Sequence, residues 1–105
     1  IKKRLGNDNK IHIKKGYFPD SVDKQSENNF YAFVHIDCDL YKPISESLNF
    51  FWPRLINGGM IAIHDYSSGF WEGANAAVNE FCEDNKVTKV LIPDWSGTVA
   101  LVKNL

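Results

Sequence analysis

Two apolar, β-prone segments that each end in acidic residues constrain the fold of this chain more than any other feature. Residues 30–36 are nearly continuously apolar and are followed by Asp37 and Asp39. Residues 60–63 are equally apolar and are followed by His64, which precedes a further acidic residue. Such runs are typical of strands that are covered on both faces in a parallel sheet. The sequence therefore predicts two buried strands with polar carboxyl ends.

Helical periodicity separates and follows these strands. Pro43 suits the first turn of a helix, and apolar residues then recur at helical spacing, which predicts a crossover helix over residues 43–55. Residues 57–59, Asn-Gly-Gly, are expected to end that helix. A second amphipathic helix is predicted over residues 70–84. Alternating strands and helices of this kind indicate an α/β fold.

Shorter segments complete the pattern. Residues 11–14 alternate apolar and polar side chains, which predicts a short first strand. Residues 21–29 are polar and form either one short helix or a loop. Residues 89–92 and 98–103 are expected to be two closing strands, antiparallel to each other because the turn between them is short.

Composition excludes several classes of partner and location. A length of 105 residues allows one domain, and 13% aromatic residues argue against disorder. The net charge of -1 gives no basic field for nucleic acid or an anionic membrane, and no apolar run is long enough to span a bilayer. The two cysteines are too few for a disulfide framework, so we expect a reducing, cytoplasmic location.

The polar residues after the two strands predict a metal site. If these strands are neighbours, Asp37, Asp39, His64 and Asp65 converge on one small volume. Three carboxylates that close repel one another, and a divalent cation relieves the repulsion. Oxygen ligands favour Mg²⁺, Mn²⁺ or Ca²⁺, and an imidazole shifts the preference toward Mn²⁺. His64 itself is a metal ligand, a general base or a residue that orients Asp65.

Other chemistry-bearing residues have structural explanations. His35, inside the first buried strand, is expected to pack within the sheet or against a helix, and Cys82 is expected to pack in the core. Cys38 is a poor nucleophile because adjacent carboxylates disfavour its thiolate. Trp71 and Trp95 follow strand ends, where they either wall a pocket or pack. A glycine-rich phosphate loop is absent from the sequence.

Four sequence blocks resemble the macrocin O-methyltransferase (TylF-like) family, whose members are Mg²⁺-dependent and transfer a methyl group from S-adenosylmethionine to sugar hydroxyls. The blocks are residues 16–21, 34–41, 55–66 and 77–81, and the resemblance extends over residues 11–103. It implies the C-terminal half of a Rossmann-like methyltransferase sheet, mostly parallel with an antiparallel final strand. The implied acceptor is a small molecule with a hydroxyl group, such as a sugar.

The resemblance also implies roles for the acidic residues. Asp37 and Asp65 would be metal ligands, and position 64 would be the third. The family often has Asp at that position, where this chain has His64. Asp39 would be the general base that takes the proton of the acceptor hydroxyl. The implied cofactors are S-adenosylmethionine and Mg²⁺, with Mn²⁺ as the other candidate.

A cofactor contact and a missing segment follow from the same resemblance. Gly16, Tyr17 and Phe18 would lie near the adenine of S-adenosylmethionine. The family's glycine-rich loop for the methionine end of the cofactor precedes this segment, so residues 1–105 are expected to form a single, partial methyltransferase domain. The strand at residues 30–36 would then keep a free edge, at which a second copy could pair to form a homo-oligomer.

Two alternatives remain from the sequence. In a haloacid-dehalogenase-like phosphatase, Asp37 would attack phosphate and Asp39 would act as acid and base. The glycine pair before His64 fits the methyltransferase better. The second alternative is a non-catalytic half-domain that self-associates through its unpaired strand edge.

Overall fold

A mixed sheet of four strands, with two helices against one face, forms the core of the protein. The computed structural model describes residues 11–16, 18–67, 69 and 72–104. The elements, in chain order, are α1 (Lys24–Asn28), β1 (Tyr31–Ile36), α2 (Tyr41–Phe51), a 3-10 turn (Trp52–Arg54), β2 (Leu55–Ile63), α3 (Glu72–Asn85), β3 (Lys89–Leu91) and β4 (Val99–Val102).

The sheet has the strand order β1-β2-β4-β3. β1 and β2 are parallel, with Ile36 opposite Ile63. β4 is antiparallel to both of its neighbours, and it places Leu101 opposite Ile61 of β2. Three strands therefore run in one direction and the final strand in the other. The predicted α/β sheet, mostly parallel with an antiparallel final strand, is confirmed.

Alternate residues of the central strands and one stripe of each long helix make the core. Ile44 and Leu48 of α2 are fully buried one helical turn apart, as the amphipathic pattern predicts. Fully burying a side chain of this size contributes roughly 1.5–3 kcal/mol. The helices pack on the sheet residues Val34, Ile36, Ile61, Ile63, Val99 and Leu101 through Ile44, Leu48, Ala74, Ala77, Val78, Phe81 and Cys82.

The opposite face of the sheet is exposed in part. Phe33 and Met60 point to this face with exposed fractions of 58% and 37%, and His35 is exposed beside them. Within the described residues no helix covers this face, so the prediction that residues 30–36 are covered on both faces is wrong for this part of the chain. His35 packs against none of the described helices, because it alternates with the buried Val34 and Ile36. The free edge of β1 as a pairing site for a second copy stays a prediction.

The first long helix ends earlier than the periodicity predicts. Pro53 lacks the N–H that an α-helix needs, and α2 gives way to the 3-10 turn after Phe51. Residues 57–59 do not end the helix but lie inside β2, where a bulge separates the pairs Tyr31–Leu55 and Phe33–Met60. Gly58 adopts a φ of 83° there, a conformation that glycine accepts without strain.

The predicted strand at residues 11–14 is not observed. Ile11 and Ile13 are exposed, and no strand is formed within residues 11–16. Alternation yields a strand only where a neighbouring strand supplies hydrogen-bond partners, and none of the four strands pairs with this segment. The polar segment that follows forms the short helix α1, which Asp23 caps through a 2.8 Å hydrogen bond from the Ser26 amide.

Two features place the second helix beside the site. α3 spans Glu72–Asn85, close to the prediction, although Phe70 lies outside the described residues. A Cβ at Gly73 would lie 2.8 Å from the amide nitrogen of Tyr41, so glycine allows α3 to approach the start of α2 closely.

The closing strands β3 and β4 are antiparallel, as predicted. Among the described residues, the helices are too short and too polar to cross a membrane.

Candidate metal centre

The carboxyl ends of β1 and β2 bring the predicted acidic residues together. The amide of His64 donates to the carbonyl of Ile36 at 2.9 Å, which extends the strand pairing to the point where both strands end. Asp37, Asp39, His64 and Asp65 each offer a ligand atom, and these atoms all lie within 4.8 Å of one another. The neighbouring strands on which the prediction depended are therefore observed.

His64 links the two strand ends through one ring nitrogen. Its Nδ1 lies 2.6 Å from Oδ2 of Asp65 and 3.3 Å from Oδ1 of Asp37. The hydrogen bond to Asp65 and the negative charge of Asp37 raise the pKa of His64, although burial acts in the opposite direction. Without a cation, a proton on His64 partly compensates the carboxylates.

Asp39 is the least compensated member of the cluster. Its Oδ1 is buried and has no hydrogen-bond partner in the part of the chain that the structure describes. Burial raises the pKa of Asp39, and the charges of Asp37 and Asp65 raise it further. A buried carboxylate oxygen without a partner is unfavourable unless a proton or a cation satisfies it.

The backbone at two of these residues adopts a conformation that is uncommon for L-amino acids. Asp39 has a φ of 64° and Asp65 a φ of 61°. Left-handed backbone of this kind costs on the order of 1 kcal/mol at a non-glycine residue and concentrates at functional sites. The amide of Leu40 donates to the carbonyl of Cys38 at 2.7 Å and closes a tight turn around Asp39. The turn directs the Asp39 carboxylate back toward the strand ends.

The donor set suits a divalent cation. Three carboxylates and one imidazole stand together, and the buried oxygen of Asp39 lacks any other partner among the described residues. Carboxylate oxygens are the ligands that Mg²⁺ prefers, and the additional nitrogen of His64 also suits Mn²⁺. The residues present therefore fit the metal that the sequence predicts.

A polar network beside the cluster was not anticipated from the sequence. The hydroxyl of Tyr66 donates to Oδ1 of Asn79 at 2.5 Å, and Nδ2 of Asn79 donates to Oδ1 of Asn75 at 2.8 Å. Lys89 also donates to Oδ1 of Asn79. The sequence feature that could have predicted this network is the spacing of the two asparagines, which lie four residues apart on one helix face. The network fixes the wall of a cavity of about 430 Å³, which is lined by Tyr66, Ser67, Gly69, Glu72 and Asn75.

The loop between β3 and β4 forms another border of the site. The amide of Ser67, two residues beyond the cluster, donates to the carbonyl of Gly97 at 3.0 Å. Hydrogen bonds from Thr98 lower the pKa of Asp94 in this loop, and the charge of nearby His64 lowers it further. Trp95, in the same loop, is fully exposed. Trp71 lies outside the described residues.

The predicted cofactor residues lie away from the cluster. Phe18 packs against Phe50 and Phe51, with ring centroids 5.6 and 5.8 Å apart, at the last turn of α2. The acidic residues precede the first turn of that helix, which has 11 residues and a length of about 16 Å. Gly16 is exposed with a φ of 135°, and Tyr17 lies outside the described residues. Their contact with S-adenosylmethionine stays a prediction.

The cysteines occupy the expected environments. Cys82 is buried in the core, as predicted, and burial raises the pKa of its thiol. Cys38 is half-buried between the two aspartates of the first strand end. His35, across the sheet from Ala62, holds its ring 6.2 Å from that of His64 on the exposed face. None of these residues enters the group of four ligand atoms.

The four-stranded sheet with its helices has the fold of part of known methyltransferases. Part of the O-methyltransferase NovP superposes on the chain with a TM-score of 0.64 and 22% identity, over 73% of this chain and 31% of NovP. CalS11, described as a TDP-rhamnose 3'-O-methyltransferase of calicheamicin biosynthesis, superposes with a TM-score of 0.60 and 25% identity, over 70% of this chain and 31% of CalS11. A second CalS11 structure gives a TM-score of 0.63 at 23% identity, over 74% of this chain and 30% of that one.

The sequence assigns the family. The profile of the macrocin O-methyltransferase (TylF) family matches residues 3–100, and the chain belongs to that family. No curated protein matches the sequence significantly. The chain spans about a third of the length of the solved structures that it resembles.

Proposed function

We propose that the protein is an S-adenosylmethionine-dependent, divalent-metal-assisted O-methyltransferase that acts on a hydroxyl of a sugar or a similar small molecule. One observation carries the proposal: three carboxylates and an imidazole converge within 4.8 Å at the ends of two parallel strands. Membership of the macrocin O-methyltransferase family supports the reaction type, and the sugar acceptor named for CalS11 supports the substrate class.

Asp37, His64 and Asp65 are the residues that would hold the metal. Their ligand atoms come from adjacent strand ends, and the link from Nδ1 of His64 to both aspartates already draws them together. When bound, a divalent cation lowers the pKa of a hydroxyl group that it contacts. His64 must give up the Nδ1 proton to act as a ligand through that atom.

Asp39 is the group that would take the proton of the acceptor hydroxyl. Its buried Oδ1 needs a proton or a cation as a partner, and its pKa is already raised by burial and by Asp37. A carboxylate with a raised pKa is a stronger base than an ordinary aspartate at neutral pH. Proton removal leaves the acceptor oxygen able to attack the sulfonium methyl group of S-adenosylmethionine, so that the O–C bond forms as the S–C bond breaks and S-adenosylhomocysteine leaves.

The acceptor would enter the cavity that follows Asp65 in the chain. Glu72 and Asn75 provide a carboxylate and an amide on its wall, and the backbone carbonyl of Tyr66 accepts a hydrogen bond from Asn75. A carboxylate and an amide on one wall suit several hydroxyl groups on a neutral ring. The cavity volume of about 430 Å³ is sufficient for one sugar unit.

The phosphatase alternative lacks comparable support. It requires the first aspartate to attack phosphate while cationic groups hold the phosphate oxygens. Asp37 stands instead with two further carboxylates, Asp39 and Asp65, which would repel phosphate, and the family match is to methyltransferases. The self-associating half-domain stays a separate prediction, since the chain spans about a third of the structures that it resembles.

Methyl transfer from labelled S-adenosylmethionine tests the proposal. The full-length protein is incubated with a panel of sugar glycosides in Mg²⁺, in Mn²⁺ and in EDTA, and label in the extracted glycoside is counted. We expect transfer that requires the metal and is lost in Asp39→Asn, with Asp84→Asn as a charge-matched control in the exposed last turn of α3. Equal transfer in EDTA would refute metal assistance, and no transfer to any hydroxyl acceptor would refute the reaction type.

A further inference from the structure

Trp95 presents its whole side chain to solvent on the loop between β3 and β4. Its exposed fraction is 104%, whereas Trp52 is half-buried and packs edge-on against Phe81 with ring centroids 5.6 Å apart. A tryptophan ring can bury roughly 150–250 Å² of surface, so a fully exposed ring loses a large hydrophobic contribution to the stability of the fold. Exposed aromatic rings of this size on rigid supports are typical of binding surfaces.

The loop that carries Trp95 lies at the same end of the sheet as the acidic cluster. Val99, the first residue of β4, lies opposite Ile63, the last residue of β2. The β3–β4 loop therefore enters β4 at the same end of the sheet at which β2 ends and His64 follows. The hydrogen bond from the Ser67 amide to the Gly97 carbonyl then ties the loop to the segment that follows the cluster.

The loop is held in one conformation by its own hydrogen bonds. Asp94 accepts hydrogen bonds from the amide of Thr98 at 2.9 Å and from its hydroxyl at 2.6 Å. The amide of Ile92 donates to the carbonyl of Thr98 at 2.9 Å, and Gly97 supplies a φ of 64° at the turn. A ring on a fixed turn loses little conformational freedom when a ligand contacts it.

The chemistry of the loop suits a carbohydrate ring. A pyranose has an apolar face of C–H groups, which carry partial positive charge and match the negative face of an indole ring. The hydroxyl groups of a pyranose project from the rim of its ring. On the protein, Ser67 is exposed and Ser96 is partly exposed, and both carry hydroxyl groups. A 6-deoxyhexose, with a methyl group in place of one hydroxyl, adds apolar surface to the same ring.

We propose that Trp95 is an acceptor-binding residue, on which the apolar face of the acceptor's sugar ring stacks so that a ring hydroxyl reaches the acidic cluster. This inference rests on the proposed methyltransferase function and names a specificity-determining contact for it. The β3–β4 loop then forms one side of the acceptor site, and the other side is the cavity wall of Tyr66, Ser67, Gly69, Glu72 and Asn75.

Steady-state kinetics of the full-length protein with a 6-deoxyhexose glycoside, methyl α-L-rhamnopyranoside, test this contact. We expect Trp95→Ala to raise the KM for the glycoside about threefold to tenfold, the range of an aromatic stacking contact. The kcat and the KM for S-adenosylmethionine should stay within about twofold, since the indole contacts the face of the acceptor ring and neither the reacting hydroxyl nor the methyl donor. Trp95→Phe keeps an aromatic face and should restore most of the affinity.

Phe30→Ala is the matched control. Phe30 is also an exposed aromatic residue, with an exposed fraction of 78%, and it precedes β1 at the opposite end of the strand from Asp37. An unchanged KM in Trp95→Ala, or an equal increase in Phe30→Ala, would overturn the proposal. A rise in the KM for S-adenosylmethionine instead would assign the ring to the methyl donor and would also overturn it.

A binding measurement separates failure of this contact from failure of the proposed function. The indole N–H resonance of Trp95, assigned by its disappearance in Trp95→Phe, is followed during titration of the full-length protein with methyl α-L-rhamnopyranoside. We expect a saturable shift, and no shift at millimolar glycoside would refute stacking on Trp95. If the wild-type protein transfers no methyl group, the proposed function fails, while this titration still decides whether Trp95 binds the sugar.

Discussion

Nδ1 of His64 lies 2.6 Å from Oδ2 of Asp65, the next residue in the chain. The same nitrogen is 3.3 Å from Oδ1 of Asp37 on the neighbouring strand. One imidazole therefore joins the acidic ends of two parallel strands. Because the His64 proton and a divalent cation require the same ligand atoms, metal binding at this site is coupled to proton release.

The metal-free protein should lose stability as the pH rises through and above neutrality. Asp65 and Asp37 raise the pKa of His64 in the folded state, so folding favours the protonated imidazole. Its stabilising contribution is complete below the unfolded pKa of about 6.5 and is lost as the pH rises through the raised folded value. Urea unfolding in EDTA from about pH 6 to pH 9 measures the slope, which His64→Asn should reduce. Parallel slopes in the two proteins would contradict this account.

Asp39→Asn should separate proton transfer from folding. Asparagine adopts the left-handed backbone that Asp39 has, at a φ of 64°, and it removes one repelling charge. We expect kcat to fall about 10²–10⁴-fold, while the melting temperature does not decrease. Kinetics and calorimetric unfolding of the same preparation measure both quantities. A variant with wild-type kcat would exclude Asp39 as the general base.

Glycines 58 and 59 should differ in their tolerance of alanine. A Cβ at Gly59 would lie 2.8 Å from the carbonyl oxygen of Ile56 and 2.8 Å from Cγ of Leu55. We therefore expect Gly59→Ala to destabilise the fold on the order of 1–3 kcal/mol. Gly58 has open space but a φ of 83°, so Gly58→Ala should cost about 1 kcal/mol from backbone strain alone. Denaturant unfolding measures the loss of stability in both variants. A larger loss in Gly58→Ala than in Gly59→Ala would contradict the bulge described in β2.

Asp94 should contribute to stability above the acid range. Hydrogen bonds from Thr98 lower the pKa of its carboxyl, so folding favours the ionised form. The contribution is present above the unfolded pKa of about 3.9 and is lost as the pH falls through the lower folded value. Asp94→Asn should flatten the acid side of the stability profile, measured by thermal unfolding at stepwise pH. Asp20→Asn, at an exposed position, is the control and should leave the profile unchanged.

The sequence predicted the parts of the structure that depend on local pattern. Apolar runs identified β1 and the end of β2, and helical spacing identified Ile44 and Leu48 as core residues. The polar residues after both strands were placed together correctly, since the carboxyl ends of adjacent parallel strands meet at one edge. The acidic cluster was therefore predictable once the strands were identified as neighbours.

Features that depend on tertiary contacts were not predictable from the sequence. Residues 57–59 have the composition of a helix end, yet Gly58 and Gly59 exchange backbone hydrogen bonds with Lys103, just after β4, and lie in the irregular part of β2. Residues 11–14 alternate like a strand but pair with none of the four strands. The Tyr66 to Asn79 hydrogen bond joins a loop to a helix face, and only the packed structure reveals it.

Isothermal titration of the full-length protein with Mn²⁺ and with Mg²⁺ measures whether the two strand ends bind a divalent cation. We expect one divalent site per chain, and a loss of affinity of more than about tenfold in both Asp37→Asn and Asp65→Asn. Asparagine tolerates the left-handed backbone of Asp65, so the latter variant should keep its fold, and Asp84→Asn should bind as the wild type does. Unchanged affinity in Asp65→Asn, or a wild-type protein that binds neither cation, would contradict the assignment of a metal centre to these strand ends.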